Sequence, residues 1–279
     1  MTTVVLVALL GGALAAGCAT QRPVPGVPPG PSASPQPAPA PVAEARALPG
    51  YYVVETAAGP RLFREFHRVM TADPGSDAVR EMLRGPQDPD YRTLWPAGTA
   101  LRSPVTAADG LITVDLTREA LGPVSLGTAA AERTVQQLVY TVQAALQSVD
   151  PVRLLVDGAP VPELFGAVGT AEPVRRADQY AVRSLVQIDT PADGAVVGRT
   201  VTVSGEAAAF EANVPWEVLR DGVVVQRGFT TAAEGQRFAP YTFTVKLEPG
   251  DYLVRVTEDD PSGGEGRPPF VDNKRITVS

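Results

Sequence analysis

Two hydrophobic periods divide the chain. Between residues 51 and 156, stretches that alternate every second residue are interleaved with stretches of helical period; beyond residue 184 only the strand-like period remains. Tyr51-Tyr52-Val53-Val54-Glu55-Thr56 is rich in strand formers, and residues 62–69 alternate through Leu62, Arg64, Phe66 and Arg68. Asp73-Pro74-Gly75-Ser76 supplies helix-start residues, Val79, Met82 and Leu83 share one face, and Gly85-Pro86 ends that helix. Residues 101–106 and 111–116 flank Asp109-Gly110, a pair suited to the positive φ angles of a tight hairpin turn. Gly127-Thr128 opens a long helix in which Val135, Leu138, Val139, Val142 and Leu146 fall on one stripe. Asp150-Pro151 closes it, and the nearly all-apolar residues 152–156 read as an interior strand. The order ββαββαβ predicts an α+β layer with both helices on one face of the sheet.

A mixed stretch of small, charged and proline residues at 166–183 reads as a linker. After it come about seven short strands, at 186–188, 200–208, 214–219, 223–229, 241–247, 252–257 and 275–278. Asp193-Gly194, Asp221-Gly222, Glu248-Pro249-Gly250-Asp251 and Pro261-Ser262-Gly263-Gly264 punctuate them. The spacing predicts an antiparallel β-sandwich, with Trp216 and Phe210 as core aromatics.

The N-terminal region follows different rules. Val4 to Ala16 is an unbroken run of apolar and small residues. At a helical rise it falls short of the roughly 30 Å of hydrocarbon that a spanning helix must cross, so it reads as a processed leader. It ends at Leu14-Ala15-Ala16-Gly17-Cys18, which resembles the bacterial lipoprotein signal, although the expected Leu is displaced by one position. That resemblance implies cleavage before Cys18 and lipid attachment to it; an ordinary secretory signal with an incidental cysteine and a buried thiol are the alternatives. Met1-Thr2-Thr3 lacks the basic residue with which leaders begin, so a translation start further upstream is expected. From Gln21 to Pro49 the proline content favours extended polyproline II, a semi-rigid, disordered stalk. The resulting division is leader 1–17, proline-rich stalk 18–49, α+β domain 50–165, linker 166–183 and β-sandwich 184–279.

Charge and scarce residue types narrow the chemistry. The net charge of −7 gives no electrostatic reason to bind nucleic acid. One cysteine excludes an internal disulfide, so stability must come from packed cores. His67 is the only histidine, so any nucleophilic triad would have to use it; the plainer expectation is a solvent-facing or edge-strand histidine. Glu258-Asp259-Asp260 with Asp272 offers oxygen ligands for a cation such as calcium, yet the spacing matches no calcium loop, and solvated turns are the simpler reading. Asp115 and Asp157 sit at or near strand ends, where an acid–base pair would converge or a carboxylate would cap a strand. Glu211 would anchor a strand through hydrogen bonds or face a ligand groove. No metal, nucleotide or other cofactor motif is present, so no cofactor is expected.

Several segments carry a family resemblance. Tyr51-Tyr52-Val53, Leu83-Arg84-Gly85-Pro86, Val114-Asp115-Leu116-Thr117, Gln137-Leu138-Val139-Tyr140-Thr141-Val142 and Leu155-Val156-Asp157-Gly158 resemble the GerMN domain of spore-germination proteins and exported lipoproteins. Thr190-Pro191, Val201-Thr202-Val203-Ser204-Gly205-Glu206-Ala207, Phe210-Glu211-Ala212-Asn213-Val214 and Trp216-Glu217 resemble the immunoglobulin-like domain of bacterial spore germination. The combination of anchor, stalk and two small domains with no catalytic constellation predicts a non-enzymatic envelope lipoprotein at the outer face of the cytoplasmic membrane, while the family names imply sporulation or germination. Its expected partners are the membrane itself, through Cys18, and envelope proteins or cell-wall components, with self-association also possible. A cell-wall hydrolase using paired carboxylates and a small-ligand-binding lipoprotein are the alternatives.

Overall fold

A long antiparallel ribbon starts the described fold. In the computed structural model, which describes residues 42–262 and 265–279, β1 (Glu44–Thr56) pairs with β2 (Gly59–Thr71) along their whole length, placing Leu48 opposite His67 and Tyr52 opposite Phe63. The leader, Cys18, most of the proline-rich stretch and Gly263-Gly264 lie outside the described residues. β1 begins at Glu44, so residues 44–49, expected as the end of the stalk, are ladder residues instead. Leu48 supplies buried apolar surface there, and Pro49 is tolerated because the second edge of β1 is bridged only further along, at Val53 by Arg92.

The next elements form where local chemistry favours them. α1 (Pro74–Arg84) is capped by the Asp73 carboxylate, which accepts from Ser76 N at 3.1 Å, and stops at Gly85 with φ 112°. β3 (Thr106–Ala108) and β4 (Leu111–Leu116) are joined by Asp109 and Gly110 at φ 52° and 72°, the two positive angles of a tight hairpin. The expected strand at 101–106 is displaced: Leu101 only bridges Leu116, and pairing resumes at Thr106. Pro104, which has no N–H to give a ladder, lies between them. α2 (Thr128–Leu146) then crosses over, and β5 (Val152–Val156) lies parallel to β4, with Asp115 opposite Leu155. β6 (Ala159–Pro160) completes the sheet order β3-β4-β5-β6. Phe63, Met82, Val114, Leu138, Val142 and Leu154 are among the residues that fill the core between helices and strands.

Residues 166–183, expected as a linker, join the two parts while packed on the first. β7 (Glu163–Leu164) and β8 (Val168–Gly169) form a small hairpin, and Val152 and Val174 exchange backbone bonds at 2.8 and 2.7 Å. Tyr140 donates to Ala177 O at 2.7 Å, and α3 (Gln179–Val182) buries Val182.

The remaining strands form two facing sheets. They are β9 (Val186–Thr190), β10 (Ala195–Val197), β11 (Thr200–Ala207), β12 (Asn213–Arg220), β13 (Val223–Thr231), β14 (Ala239–Lys246), β15 (Gly250–Thr257) and β16 (Val271–Val278). One sheet has the order β14-β11-β9 and the other β10-β16-β15-β12-β13. β10, too short to show a period, is an additional strand and runs parallel to β16. Trp216 packs at the edge of the core, stacked on Phe243 at 4.8 Å. Phe210 does not reach the core: it is 42% exposed, at a bend where Glu211 and Ala212 take positive φ.

Gly205 marks the tightest approach between strands. A Cβ there would lie 1.9 Å from Gln187 O and 2.7 Å from the Tyr241 hydroxyl, so β9 must move to admit any side chain. Gly205→Ala is expected to lower unfolding free energy by about 3 kcal/mol, at the upper end of overpacking costs. Gly198→Ala, with open space around it, is expected to change stability by less than about 0.5 kcal/mol. Urea unfolding followed by circular dichroism measures both.

Candidate functional site

The alternation of β2 sets up a buried polar network. Period two places Phe63, Glu65 and His67 on one face and Leu62, Arg64 and Phe66 on the other. Of the two expected positions His67 takes the edge strand, β2 having only β1 in its sheet, but its side chain is 4% exposed and faces inward. Its Nε2 lies 3.0 Å from Glu65 Oε1 and its Nδ1 lies 3.2 Å from Glu81 Oε2, on α1. Ionised carboxylates only accept, so this pair of contacts favours the protonated ring, in which both nitrogens donate. Burial pulls the His67 pKa down, but the bonds to Glu65 and Glu81 outweigh it and hold it above the usual histidine range. Burial pushes Glu65 up, while His67 and the N–H groups of Gln87 and Asp88, at 2.9 and 3.3 Å, bring it below the usual carboxylate range. The compensating acids explain why the histidine can be buried: one lies two residues away on the same strand, the other on the helix packed above it.

Glu65 thereby fixes the loop that carries Asp88 and Tyr91, and this loop meets the β-sandwich. Lys274 Nζ donates to Asp88 Oδ2 at 2.6 Å and to the Tyr91 hydroxyl at 2.7 Å. That hydroxyl donates to Asp272 Oδ1 at 2.8 Å, and Asp272 Oδ2 accepts from Ile188 N at 2.6 Å. Lys274, Asp88 and Asp272 are all buried. Burial alone would pull Lys274 down, but Asp272 and Asp88 hold its pKa up and keep it charged. Burial pushes both carboxyls up, and one ammonium shared between two of them does not fully reverse this.

A second cluster, built on arginine, joins the same two domains. Arg64 grips Asp189 through Nη2 at 2.6 Å and Nε at 3.1 Å, and reaches Glu206 Oε1 at 3.1 Å. Arg183, buried at the end of the connecting segment, holds Glu206 Oε2 at 2.7 Å. Burial opposes the Arg64 charge, but the Asp189 bond and field outweigh it and raise its pKa further.

The other sequence candidates are separate from this network. Asp115 Oδ1 accepts from Gly158 N at 2.9 Å, while its Oδ2 pairs with Arg102 at 3.1 Å. Asp157 pairs with Arg118 at 3.1 Å in the turn after β5. The two lie at one end of the neighbouring β4 and β5, but each has its own arginine, and Asp115 is the cap of the 157–158 turn. Asp272 points into the domain junction, away from Glu258, which is bound by Arg267 at 2.6 and 2.8 Å and by Phe270 N. Asp260 accepts from Ser262 N at 2.9 Å. Among the described residues, no group of three or more His, Cys, Asp or Glu side chains is placed to hold a metal ion. Glu211 is exposed, and backbone bonds Ala232 N to Ala212 O and Gln236 N to Ala209 O hold its bend, so it anchors no strand through its carboxylate. Lys274, Asp88, Tyr91 and the Arg64 cluster were not anticipated. Their signal was parity: Asp272 and Lys274 fall on the buried face of β16 with Ile276 and Val278.

Two outcomes follow from this geometry. Lys274→Met leaves two buried carboxylates without their cation and is expected to cost about 3–5 kcal/mol; adding Asp88→Asn and Asp272→Asn is expected to recover part of it. Urea unfolding of the three-substitution and single-substitution chains provides the comparison. Because the folded pKa of His67 lies above its unfolded value near 6.5, its stabilisation is fully present below pH 6.5 and is lost as pH rises through the folded value. The stability difference between wild type and His67→Gln is therefore expected to shrink as pH rises above 6.5, read from melting temperatures across that range.

Comparisons with known proteins agree with this two-part architecture. Residues 49–162 match the family described as sporulation and spore germination, and residues 185–265 match the immunoglobulin-like domain of bacterial spore germination. No curated protein sequence matches the chain. Among solved structures, the tandem GerMN domains of the sporulation protein GerM from Bacillus subtilis align at 20% identity, TM-score 0.37, over 52% of this chain and 49% of that one. An engineered protein aligns at 17% identity, TM-score 0.29, over 56% of this chain and 38% of that one. A Jonesia denitrificans lytic polysaccharide monooxygenase aligns at 19% identity, TM-score 0.24, over 32% and 60%. The chain thus spans about half the length of the tandem GerMN structure, and these superpositions are too loose to add to the family matches. Residues 49–162 are thus similar to the GerMN-type sporulation and spore germination family, and residues 185–265 to the immunoglobulin-like domain of bacterial spore germination.

Proposed function

We propose that the chain is a non-enzymatic envelope lipoprotein, anchored by lipid on Cys18 at the outer face of the cytoplasmic membrane and acting by contact with envelope proteins or wall components. The observation that carries this reading is the use of buried charge. Lys274, Asp88, Asp272, Arg64 and Asp189 fasten one domain to the other, as fits a rigid body that presents surfaces. β13 suits such contact: it lies at a sheet edge, paired with β12 alone, and exposes Val223, Val225 and Phe229. The apolar leader ending at Cys18 supports the anchor.

The test uses the full chain expressed in a bacterial host that lipidates exported proteins. Labelled palmitate is expected to enter the protein and to be lost in Cys18→Ala; unchanged labelling removes the anchor. A photo-crosslinking residue at position 229 in the anchored chain is expected to give discrete adducts with envelope components or a second copy. Absence of adducts at this site removes the contact reading of β13.

A further inference from the structure

One rim of the β-sandwich carries charge of a different kind from the junction. Between the ends of β11, β12, β14 and β15 lies an open cleft of about 490 Å³. Arg199, Arg220 and Lys246 line it, with Glu248 as their one carboxylate, so three cations face one anion in a chain whose net charge is −7. Glu248 is engaged by Arg199 at 3.1 Å. Among the described residues Arg220 makes no ion pair: its Nη1 reaches the Tyr252 hydroxyl at 3.5 Å, with the guanidinium 5.5 Å from the Tyr252 ring. Among the described residues, no carboxylate is paired with Lys246. Arg220 and Lys246 both contribute to the wall without a carboxylate partner among the described residues, and a bound anion supplies the missing counter-charge.

The rest of the wall indicates what carries the anion. The cleft falls within the roughly 300–1,000 Å³ range of small-molecule sites and exceeds what a bare oxyanion fills. Thr200 offers a hydroxyl and Gln226 an amide, which suit the hydroxyl groups of a ring, while Val225 and Leu247 offer apolar surface for its C–H face. Tyr252 is fixed by its own bond to Glu248 O at 2.9 Å, and Gln226 by its bond to Lys246 O at 2.8 Å, so the wall is preformed. We propose that this cleft binds an anionic sugar residue, a sugar phosphate or sugar acid, with Arg220 and Lys246 holding the oxyanion. This goes beyond the contact reading and does not depend on the lipid anchor.

Isothermal titration of the purified chain at low ionic strength tests it, with glucose 6-phosphate, glucuronate, inorganic phosphate and glucose as probes. The two anionic sugars are expected to bind, more tightly than inorganic phosphate, and glucose is expected not to bind. Arg220→Gln with Lys246→Gln is expected to weaken binding by about tenfold or more, the scale of losing charge-assisted hydrogen bonds. Arg227→Gln, an exposed cation on β13 outside the cleft, is expected to leave it unchanged. All of these residues are exposed, so melting temperatures should stay within about a degree or two of wild type, separating lost binding from lost fold. Failure of both anionic sugars to bind overturns the proposal, as does equal binding by the double variant. Inorganic phosphate binding as tightly as glucose 6-phosphate overturns the sugar assignment.

Discussion

The buried ammonium of Lys274 is the constraint on which the two-domain arrangement depends. A lysine taken out of water costs several kcal/mol unless its partners are in place, and here those partners come from both domains. Asp272 belongs to the same strand of the sandwich, but Asp88 and the Tyr91 hydroxyl belong to the α+β domain. Separation of the two domains would leave Asp88 without its cation on one side and Lys274 with only a 3.5 Å neighbour on the other. Electrostatics therefore fixes the docking geometry, while apolar packing fixes each domain internally. The chemistry of the pair also explains why the second domain ends in a polar strand: β16 contributes Asp272 and Lys274 to the junction and Ile276 and Val278 to the core from a single face.

β2 is the element that makes this possible. One face sends Phe63 into the first core, then Glu65 and His67 into the polar network beneath α1; the other sends Arg64 onto β9 of the sandwich. Glu65 is shared. It balances His67 and, through two backbone N–H groups, shapes the loop that delivers Asp88 to Lys274. Thus the only histidine, the helix α1 and the junction form one continuous set of hydrogen bonds. The planar fork of Arg64 locks orientation through two bonds to one carboxylate, and the point charge of Lys274 fills a smaller buried space; arginine and lysine are not interchangeable in these places.

The sequence made regular elements legible and left compensated polar groups obscure. α2 could be read from its apolar stripe, the 109–110 turn from its demand for two positive φ angles, and the sandwich from repeated short alternations. β1 was read late because proline at 49 suggests a stalk, whereas an edge position accepts it. β10 is three residues long and has no period to detect. The strand at β16 was read from Arg275 onward because Asp272 and Lys274 look like solvated residues, and this concealed the junction. His67 sits on an edge strand, as its pattern suggests, but its inward orientation is hidden for the same reason. Its burial depends on Glu81, fourteen residues away on another element, and a single-strand pattern carries no trace of that partner. Phe210 shows the reverse error: an aromatic residue beside a sandwich strand stays exposed because the chain bends through two left-handed residues next to it.

The same comparison separates structural charge from charge available for binding. At the junction Lys274 and Arg64 are withdrawn from water and met by carboxylates from neighbouring elements, so their capacity for further hydrogen bonds is largely spent. Asp115 is likewise occupied, by an arginine and a turn amide, which is why its position near Asp157 supplies no free acid–base pair. At the sandwich rim the balance is inverted. Arg220 and Lys246 sit on the ends of strands whose lengths are fixed by pairing, Thr200 opposite Lys246 and Arg220 opposite Val223. Both line the same cleft, and among the described residues no carboxylate is paired with either. A fold that stores paired charge in its interior and displays unpaired charge at a preformed cleft has its recognition capacity at that rim, in the domain farther along the chain from the proposed anchor.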